Sequence, residues 1–295
     1  MSKWQFGDVQ VERVLEFEDY LLTPSQLYPE STAEEIDEHR HWLEPFLLDP
    51  ESQGLHLAFH TFVIRSKNLT ILVDTCGGND KQRPQKQRYH LNNWPYLERL
   101  AAIGVQPEAV DYVCCTHLHV DHVGWNTRLL DGRWVPTFPN AKYLFSRPEW
   151  EYWEAHYETE AFTDDPYYED SILPVIAAGQ AEFVEMDLAF NDEVFLDPTP
   201  GHTPGHVCIH IHSQGQEAVM SGDLMHHPIQ CARPDWNSCF CVNPTESRNT
   251  RFDFLKRYAE TNTLIMPAHF PTPAVGYIVN KKDRWHFKFD PSLHG

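Results

Sequence analysis

A layered α/β fold is what this sequence predicts, on three observations. Short β-type apolar runs and hairpins alternate with segments of helical spacing along the chain, an order that builds sheets covered by helices rather than a bundle. Five of the apolar runs are followed within a few residues by a His or an Asp, as strands are when their ends carry a site. With 295 residues and 41% apolar content, the chain is long enough to bury a sizeable core.

The elements follow in order. Val9-Gln10-Val11-Glu12-Arg13-Val14-Leu15 alternates as a half-buried strand. Ser31 and Thr32, each followed three residues later by Glu34 and Glu35, mark the start of a helix carrying Ile36 and Trp42. Leu55 to Ile64 and Thr70 to Asp74 read as a hairpin turning at Ser66-Lys67-Asn68. Trp94 to Ile103 has helical spacing and stops at Gly104. Tyr112 to Cys115 is a strand that runs into THLHVDH, and Lys142 to Phe145 is another, followed by an aromatic-rich helix from Pro148. Val207–His212 and Glu217–Ser221 flank the turn Ser213-Gln214-Gly215-Gln216. Asn243 as N-cap, Pro244 at the first helical position and Glu246 start a helix running to about Glu260. Thr263–Pro267 is a last buried strand before His269.

Composition excludes several classes. The formal charge of −20 disfavours nucleic acid, which is bound through clustered Lys and Arg. The densest basic run, Lys81 to Arg88, holds four such residues and reads as a solvated loop. No stretch is long and apolar enough for a membrane span, and MSKWQFGDVQVER lacks the apolar core of a signal peptide, so a cytoplasmic protein is the expectation. Seven cysteines with no C-x-x-C pair argue against a disulfide framework or a Cys-rich zinc site. Cys114, Cys115 and Cys208 read as small core residues, and Cys239 and Cys241 as structural ones.

The five strand-end segments are Asp74 after Ile71-Leu72-Val73, the 116–122 cluster, His202 in TPGHTPGH, Asp223 in VMSGDLMHH and His269 in LIMPAHF. Imidazole and carboxylate suit zinc and other borderline divalent metals. His117 and His119 are two apart, so on extended backbone they point the same way; Asp121 and His122 lie beyond the turn. With His202, Asp223 and His269 the chain offers seven ligands, and one ion needs three or four, so the count favours two ions. His206 reads as a structural neighbour of the site, and His210 and His212 as strand residues. GHTPGH on its own reads equally as a Gly/Pro turn.

H-x-H-x-D-H at 117–122, followed by His202, Asp223 and His269 in that order, resembles the metallo-β-lactamase superfamily across about residues 55–270. The resemblance implies an αββα sandwich with metals at one edge. It implies one domain over 1–295, with an N-terminal extension (about 1–54) and an insert (about 126–180). Carried over by position, His117, His119 and His202 would hold one metal, Asp121, His122 and His269 a second, and Asp223 would bridge them. Asp74 would support the ligands, although VDTCGG departs from the family's V-D-T-G. Two divalent ions, zinc foremost and Mn2+, Fe2+ or Co2+ as alternatives, imply a hydrolase in which a bridging hydroxide attacks a carbonyl or phosphoryl centre. Asp121 would also handle a proton of that hydroxide.

Within the superfamily, ligand spacings of 21 (His202 to Asp223) and 46 (Asp223 to His269) are similar to the branch of lactonases, esterases and organophosphate hydrolases. Diiron flavoproteins carry Glu where His119 stands, RNase-type members need a basic surface, and the commonest zinc β-lactamases place another residue at 122. Glyoxalase-II-like thioesterases add a helical C-terminal domain, whereas 26 residues follow His269 here. The expected reaction is opening of a lactone or cleavage of an ester; the alternatives are an organophosphate or other xenobiotic hydrolase, an iron-dependent sulfur dioxygenase, or a non-catalytic relative. Acyl-homoserine lactonases carry Tyr three residues after the bridging Asp, where this chain has His226. That His reads either as a general acid or carbonyl contact, or as a prop for a ligand.

Residues 134–168 hold eleven aromatics with seven acids and two basic residues. Trp150, Trp153 and Tyr157 fall on one helical face. They read as core or a homodimer interface on one side, and on the other as a wall over the metals that favours a neutral, apolar or aromatic small-molecule substrate.

Overall fold

The computed structural model describes residues 2–157, 166–282 and 284–290. The middle of the aromatic-rich stretch, 158–165 with Phe162, lies outside the described residues.

The first sheet comprises Lys3–Phe6 (β1), Val9–Leu22 (β2), Leu55–Ser66 (β3), Leu69–Val73 (β4), Tyr112–Cys114 (β5), then, beyond a small separate hairpin of Thr127–Leu130 (β6) and Arg133–Pro136 (β7), Lys142–Ser146 (β8) and Ala181–Val184 (β9). β1 to β4 pair antiparallel; β4, β5, β8 and β9 run parallel. The second sheet takes Val194–Pro198 (β10), Val207–Ser213 (β11), Gln216–Gly222 (β12), Leu264–Pro267 (β13), Gly276–Lys281 (β14) and Arg284–Phe289 (β15) in chain order, with β12 and β13 parallel.

Strand periodicity sorts the apolar side chains into three layers. Phe62 and Ile64 of β3, Ile71 and Val73 of β4, Ile209 and Ile211 of β11, and Met220 and Met266 point between the sheets. Their alternates on the first sheet, Val63, Leu72 and Val113, face a helical layer that includes helix α1 (Ala33–Leu43) through Ile36 and Leu43, and α2 (Tyr96–Ala102) through Tyr96 and Leu100. Cys208, Val219 and Ile265 face outward from the second sheet against Phe254, Leu255 and Tyr258 of a later helix, Pro244–Tyr258. Helix, sheet, sheet, helix is the αββα sandwich.

Local chemistry sets the helix starts. Thr32 Oγ1 accepts from Glu35 N at 3.2 Å while the Glu35 carboxylate accepts from Thr32 N at 3.1 Å, a closed capping box. α2 begins two residues later than its periodicity suggests, because Pro95 occupies the N-cap position and Trp94 stacks on Phe17 instead. Helix α3 (Arg147–His156) leaves β8 directly, and a short helix α4 (Tyr167–Ser171) follows.

The site lies where strands β4, β5, β12 and β13 end. Parallel neighbours leave their carboxyl ends on one edge, so the loops after them converge there.

Candidate metal centre

Asp74 opens the site. It follows β4 with φ 57°, a left-handed conformation that Asp tolerates better than most residues. Its Oδ1 accepts from Thr116 N at 2.8 Å; its Oδ2 accepts from the Thr116 hydroxyl at 3.0 Å and from His122 Nδ1 at 2.8 Å. One carboxylate thus ties the end of β4 to the whole 116–122 loop and turns His122 Nε2 inward.

The loop's other face is held by Glu149 of α3. Its buried carboxylate accepts from Leu118 N (2.9 Å), Gly205 N (3.0 Å) and Trp153 Nε1 (2.6 Å), joining the 117–119 segment to the 203–205 turn. On the opposite sheet Gly222 has φ 48°, and a Cβ there would lie 2.6 Å from His206 Nε2. That space is needed because His206 Nε2 accepts from Asp223 N at 3.0 Å, while its Nδ1 meets Thr199 Oγ1 at 2.8 Å. Burial lowers His206 to about 3, so it stays neutral and serves as a backbone prop for Asp223.

Two cups of ligand-type atoms result. In the first, His117 Nε2, His119 Nδ1 and His202 Nε2 form a triangle with edges of 2.9, 3.0 and 3.2 Å. Imidazole nitrogens sharing one tetrahedral zinc at about 2.0–2.1 Å stand about 3.3 Å apart, close to these edges. In the second, His122, His269 and Asp121 converge: Asp121 Oδ1 is 4.0 Å from His122 Nε2, and Asp121 Oδ2 is 3.7 Å from His269 Nε2. Asp223 stands between them. Its Oδ2 is 3.6 Å from His117 Nε2 and 3.3 Å from His202 Nε2; its Oδ1 is 3.2 Å from His122 Nε2 and 2.9 Å from His269 Nε2.

Tautomers and charge fit metal ligation. His122 Nδ1 donates to Asp74 and His269 Nδ1 to the Ala58 carbonyl at 3.1 Å, which leaves both Nε2 atoms for a ligand. His117 Nδ1 rests on Thr116 Oγ1 at 3.0 Å, and His202 Nδ1 lies 3.7 Å from Cys241 Sγ. His122 Nε2 and Asp223 Oδ1 are buried and make no well-aligned hydrogen bond, a costly arrangement that a cation between them would relieve. Burial, reinforced by the neighbouring imidazoles, holds His117 and His119 well below the ordinary histidine range, and burial takes His202 to about 3. These three are neutral lone-pair donors. Burial opposes charge on His122 too, but the carboxylates of Asp223 and Asp74 outweigh it and raise its pKa. There a proton and a metal ion compete for the same nitrogen.

The structure thus brings together all seven residues singled out as metal ligands, as two groups: His117, His119, His202 and Asp223, and Asp121, His122 and His269. His226, also singled out, sits at their mouth. It is buried, its Nε2 lies 3.2 Å from Asp223 Oδ2, and neither ring nitrogen makes a well-aligned hydrogen bond. Above it opens a cavity of about 440 Å³, walled by Tyr20, Phe59, Trp153, Tyr167 and Phe240 and floored by His119, Asp121, Asp223 and His269.

Several features of this site were missed from sequence. Tyr89 donates to Asp121 Oδ2 at 2.8 Å, and Glu149 clamps the loop; neither belongs to a motif, although Glu149 opens the helix whose Trp153 was flagged. Trp153 packs edge-on to His119, while Trp150 turns away to stack on Tyr168. The run Lys81 to Arg88 is not a solvated loop. Lys81 and Arg83 are fully buried, Arg83 bonding Asp170 through two nitrogens at 2.6 and 2.7 Å, and Lys86 and Arg88 line the cavity. The reading failed because the anion that draws these cations inward lies far along the chain. Cys239, read as a structural residue, is exposed and lines the cavity.

Comparison with known proteins agrees with this geometry. The family model described as the metallo-beta-lactamase superfamily matches residues 60–269. The chain is 31% identical over 121 residues to an N-acyl homoserine lactonase of Bacillus cereus, a stretch covering 41% of this chain and 40% of that enzyme. It is 29% identical over 154 residues to the N-acyl homoserine lactonase AttM of Azorhizobium caulinodans, covering 44% of this chain and 51% of the relative. The matches therefore span about half or less of these relatives' length. Among solved structures, a hydrolase of the beta-lactamase superfamily, AbOPH, superposes with a TM-score of 0.80 at 23% identity, over 98% of this chain and 96% of that one. The dizinc quorum-quenching lactonase AidC gives a TM-score of 0.77 at 19% identity, over 98% and 97%. Ligand order, sandwich and family match together place the chain in the metallo-β-lactamase superfamily.

Proposed function

We propose that this protein is a dinuclear metal-dependent hydrolase that opens a lactone or cleaves a related ester. The observation that carries the reading is Asp223, which offers one carboxylate oxygen to each of two ligand cups. His117, His119 and His202 would hold one ion, Asp121, His122 and His269 the other, and Asp223 would serve both. Zinc fits this donor set, as do Mn2+, Fe2+ and Co2+. Two such ions would supply an activated water and polarise the scissile carbonyl.

The chain's own groups account for the rest. Tyr89 donates to Asp121 Oδ2, the oxygen that also faces His269, and so fixes the Asp121 carboxylate beside the second cup, where it can take a proton. His226 is held below its ordinary pKa, chiefly by burial. It therefore faces the cavity as a neutral ring, able to donate one hydrogen bond to the substrate carbonyl oxygen. Trp153, Phe59 and Tyr167 exclude water and favour an apolar or aromatic body. The lactonases that the chain resembles over part of their length support a lactone or ester as substrate.

A pH-stat assay of zinc-reconstituted protein against lactones, aryl esters and phosphotriesters, with His119→Ala as control, tests this. Acid release from lactones or esters that disappears in the variant supports the proposal. Turnover of phosphotriesters alone would replace it with the organophosphate reading, and turnover of none would end it.

A further inference from the structure

The cavity carries two cations, Lys86 and Arg88, in a chain with a net charge of −20. Neither arrives there by drift, because their loop is anchored from below. Lys81 Nζ donates to Thr127 Oγ1 at 2.6 Å and lies 3.7 Å over the Trp134 ring, and Arg83 grips Asp170 of α4. The loop then closes on itself through Leu91 N to Lys81 O at 2.7 Å and Asp80 N to Asn92 O at 3.0 Å.

Arg88 is fixed at its head as well. Its guanidinium lies 4.4 Å from the Tyr20 ring centroid and 4.8 Å from that of Tyr89, and Nη1 donates to the Tyr20 hydroxyl. The remaining edge, Nε and Nη2, is the one that meets a carboxylate side-on. Nε is buried and makes no well-aligned hydrogen bond, while the Tyr89 hydroxyl and the Asp121 carboxylate act on the guanidinium from the metal side. A preorganised, charged edge whose Nε–H is left unsatisfied is costly unless a ligand supplies an acceptor. Tyr89, which this guanidinium covers, is also the tyrosine that orients Asp121, so the edge stands beside the reacting end of the cavity.

We infer that Arg88 is a specificity-determining residue that docks a carboxylate of the substrate, so that the preferred substrate is an ester or lactone with an apolar body and a separate carboxylate. The inference rests on the hydrolase reading above and narrows its substrate class. The apolar wall receives the body, the ligand cups the scissile carbonyl, and Arg88 the anion. Phe240, whose ring centroid is 6.0 Å from the guanidinium carbon, lines the same cavity beside it.

The test is calorimetric binding of straight-chain dicarboxylates, from hexanedioate to decanedioate, and of their monomethyl esters to the zinc-loaded full chain. One carboxylate of each probe can occupy the metal end, so the second reports on Arg88. The wild type is expected to bind at least one diacid 10- to 100-fold more tightly than its monoester, as a charge-assisted hydrogen-bond pair implies. Arg88→Met should collapse that ratio to within about threefold, and Arg88→Lys, which keeps the charge but not the fork, should retain part of it. The absence of any diacid preference in the wild type, or its survival in a folded Arg88→Met, would overturn the inference. Diacid preference without turnover of any ester or lactone would overturn only the hydrolase reading; ester turnover without diacid preference would overturn only the role of Arg88.

Discussion

Asp74→Asn separates the two ligand cups. The Asn side chain keeps the size of Asp and tolerates the same left-handed backbone, so the loss is confined to hydrogen bonding. With its oxygen on Thr116 N, where the wild type makes a 2.8 Å bond, its amide NH2 faces His122 Nδ1 in place of the acceptor 2.8 Å away. Two donors then oppose each other. The cheapest relief is for His122 to move its proton to Nε2, the atom that would ligate the second ion. The first cup is spared, because the Thr116 hydroxyl has lone pairs enough to accept from the new amide and still hold His117 Nδ1. Loss of such an orienting partner weakens metal affinity by about 10- to 100-fold, roughly 1.4–2.7 kcal/mol. Stepwise zinc titration against a chelator should show the weaker-binding ion lost by that factor and the other shifted by less than about threefold. Equal weakening of both ions, or of neither, would refute the orientation argument.

Other consequences follow from the same geometry. His122 and His269 are both raised in pKa in the metal-free protein: burial opposes the shift, but Asp223 dominates with help from nearby carboxylates. Each holds a proton that the ion must displace, so the apparent affinity of the second ion should fall at least about tenfold per unit as pH is lowered through neutrality; calorimetry in buffers of different ionisation enthalpy would detect the released protons, and none would contradict the assignment. Asp170→Ala removes the carboxylate that faces the buried Lys81 and Arg83 and should destabilise the fold by about 3–5 kcal/mol in urea unfolding. A loss under about 1 kcal/mol would show that water reaches the pair. Gly222→Ala places a methyl 2.6 Å from His206 Nε2 on a left-handed backbone, so it should cost about 1–3 kcal/mol of stability and displace Asp223. A variant with wild-type metal content would show that the neighbouring residues yield.

Much of the site is legible in the sequence because its residues cluster in the loops that follow apolar strands. Val73, Cys115 and Pro267 end buried runs, and Asp74, His117 and His269 stand within two residues of them. A layered α/β fold was likewise readable from hairpins alternating with helices, while the αββα order came from the family resemblance; the period-2 sorting appears in β11 and β12. What could not be read were pairings between distant segments. Nothing near Lys81 announces Asp170, and nothing near Tyr89 announces Asp121. A polar loop rich in Lys and Arg looks solvated until the fold delivers the anion or cavity that it faces. The aromatic stripe shows the same limit: periodicity put Trp150 and Trp153 together, but only packing sends one to His119 and the other to Tyr168.

The most direct test of the two-ion account is a crystal structure of the zinc-loaded protein with anomalous data collected at the zinc edge. The account predicts two peaks about 3.5–4 Å apart, one in the cup of His117, His119 and His202, one in that of Asp121, His122 and His269, with Asp223 touching both. A single peak at full zinc occupancy, or two peaks that Asp223 does not join, would contradict it.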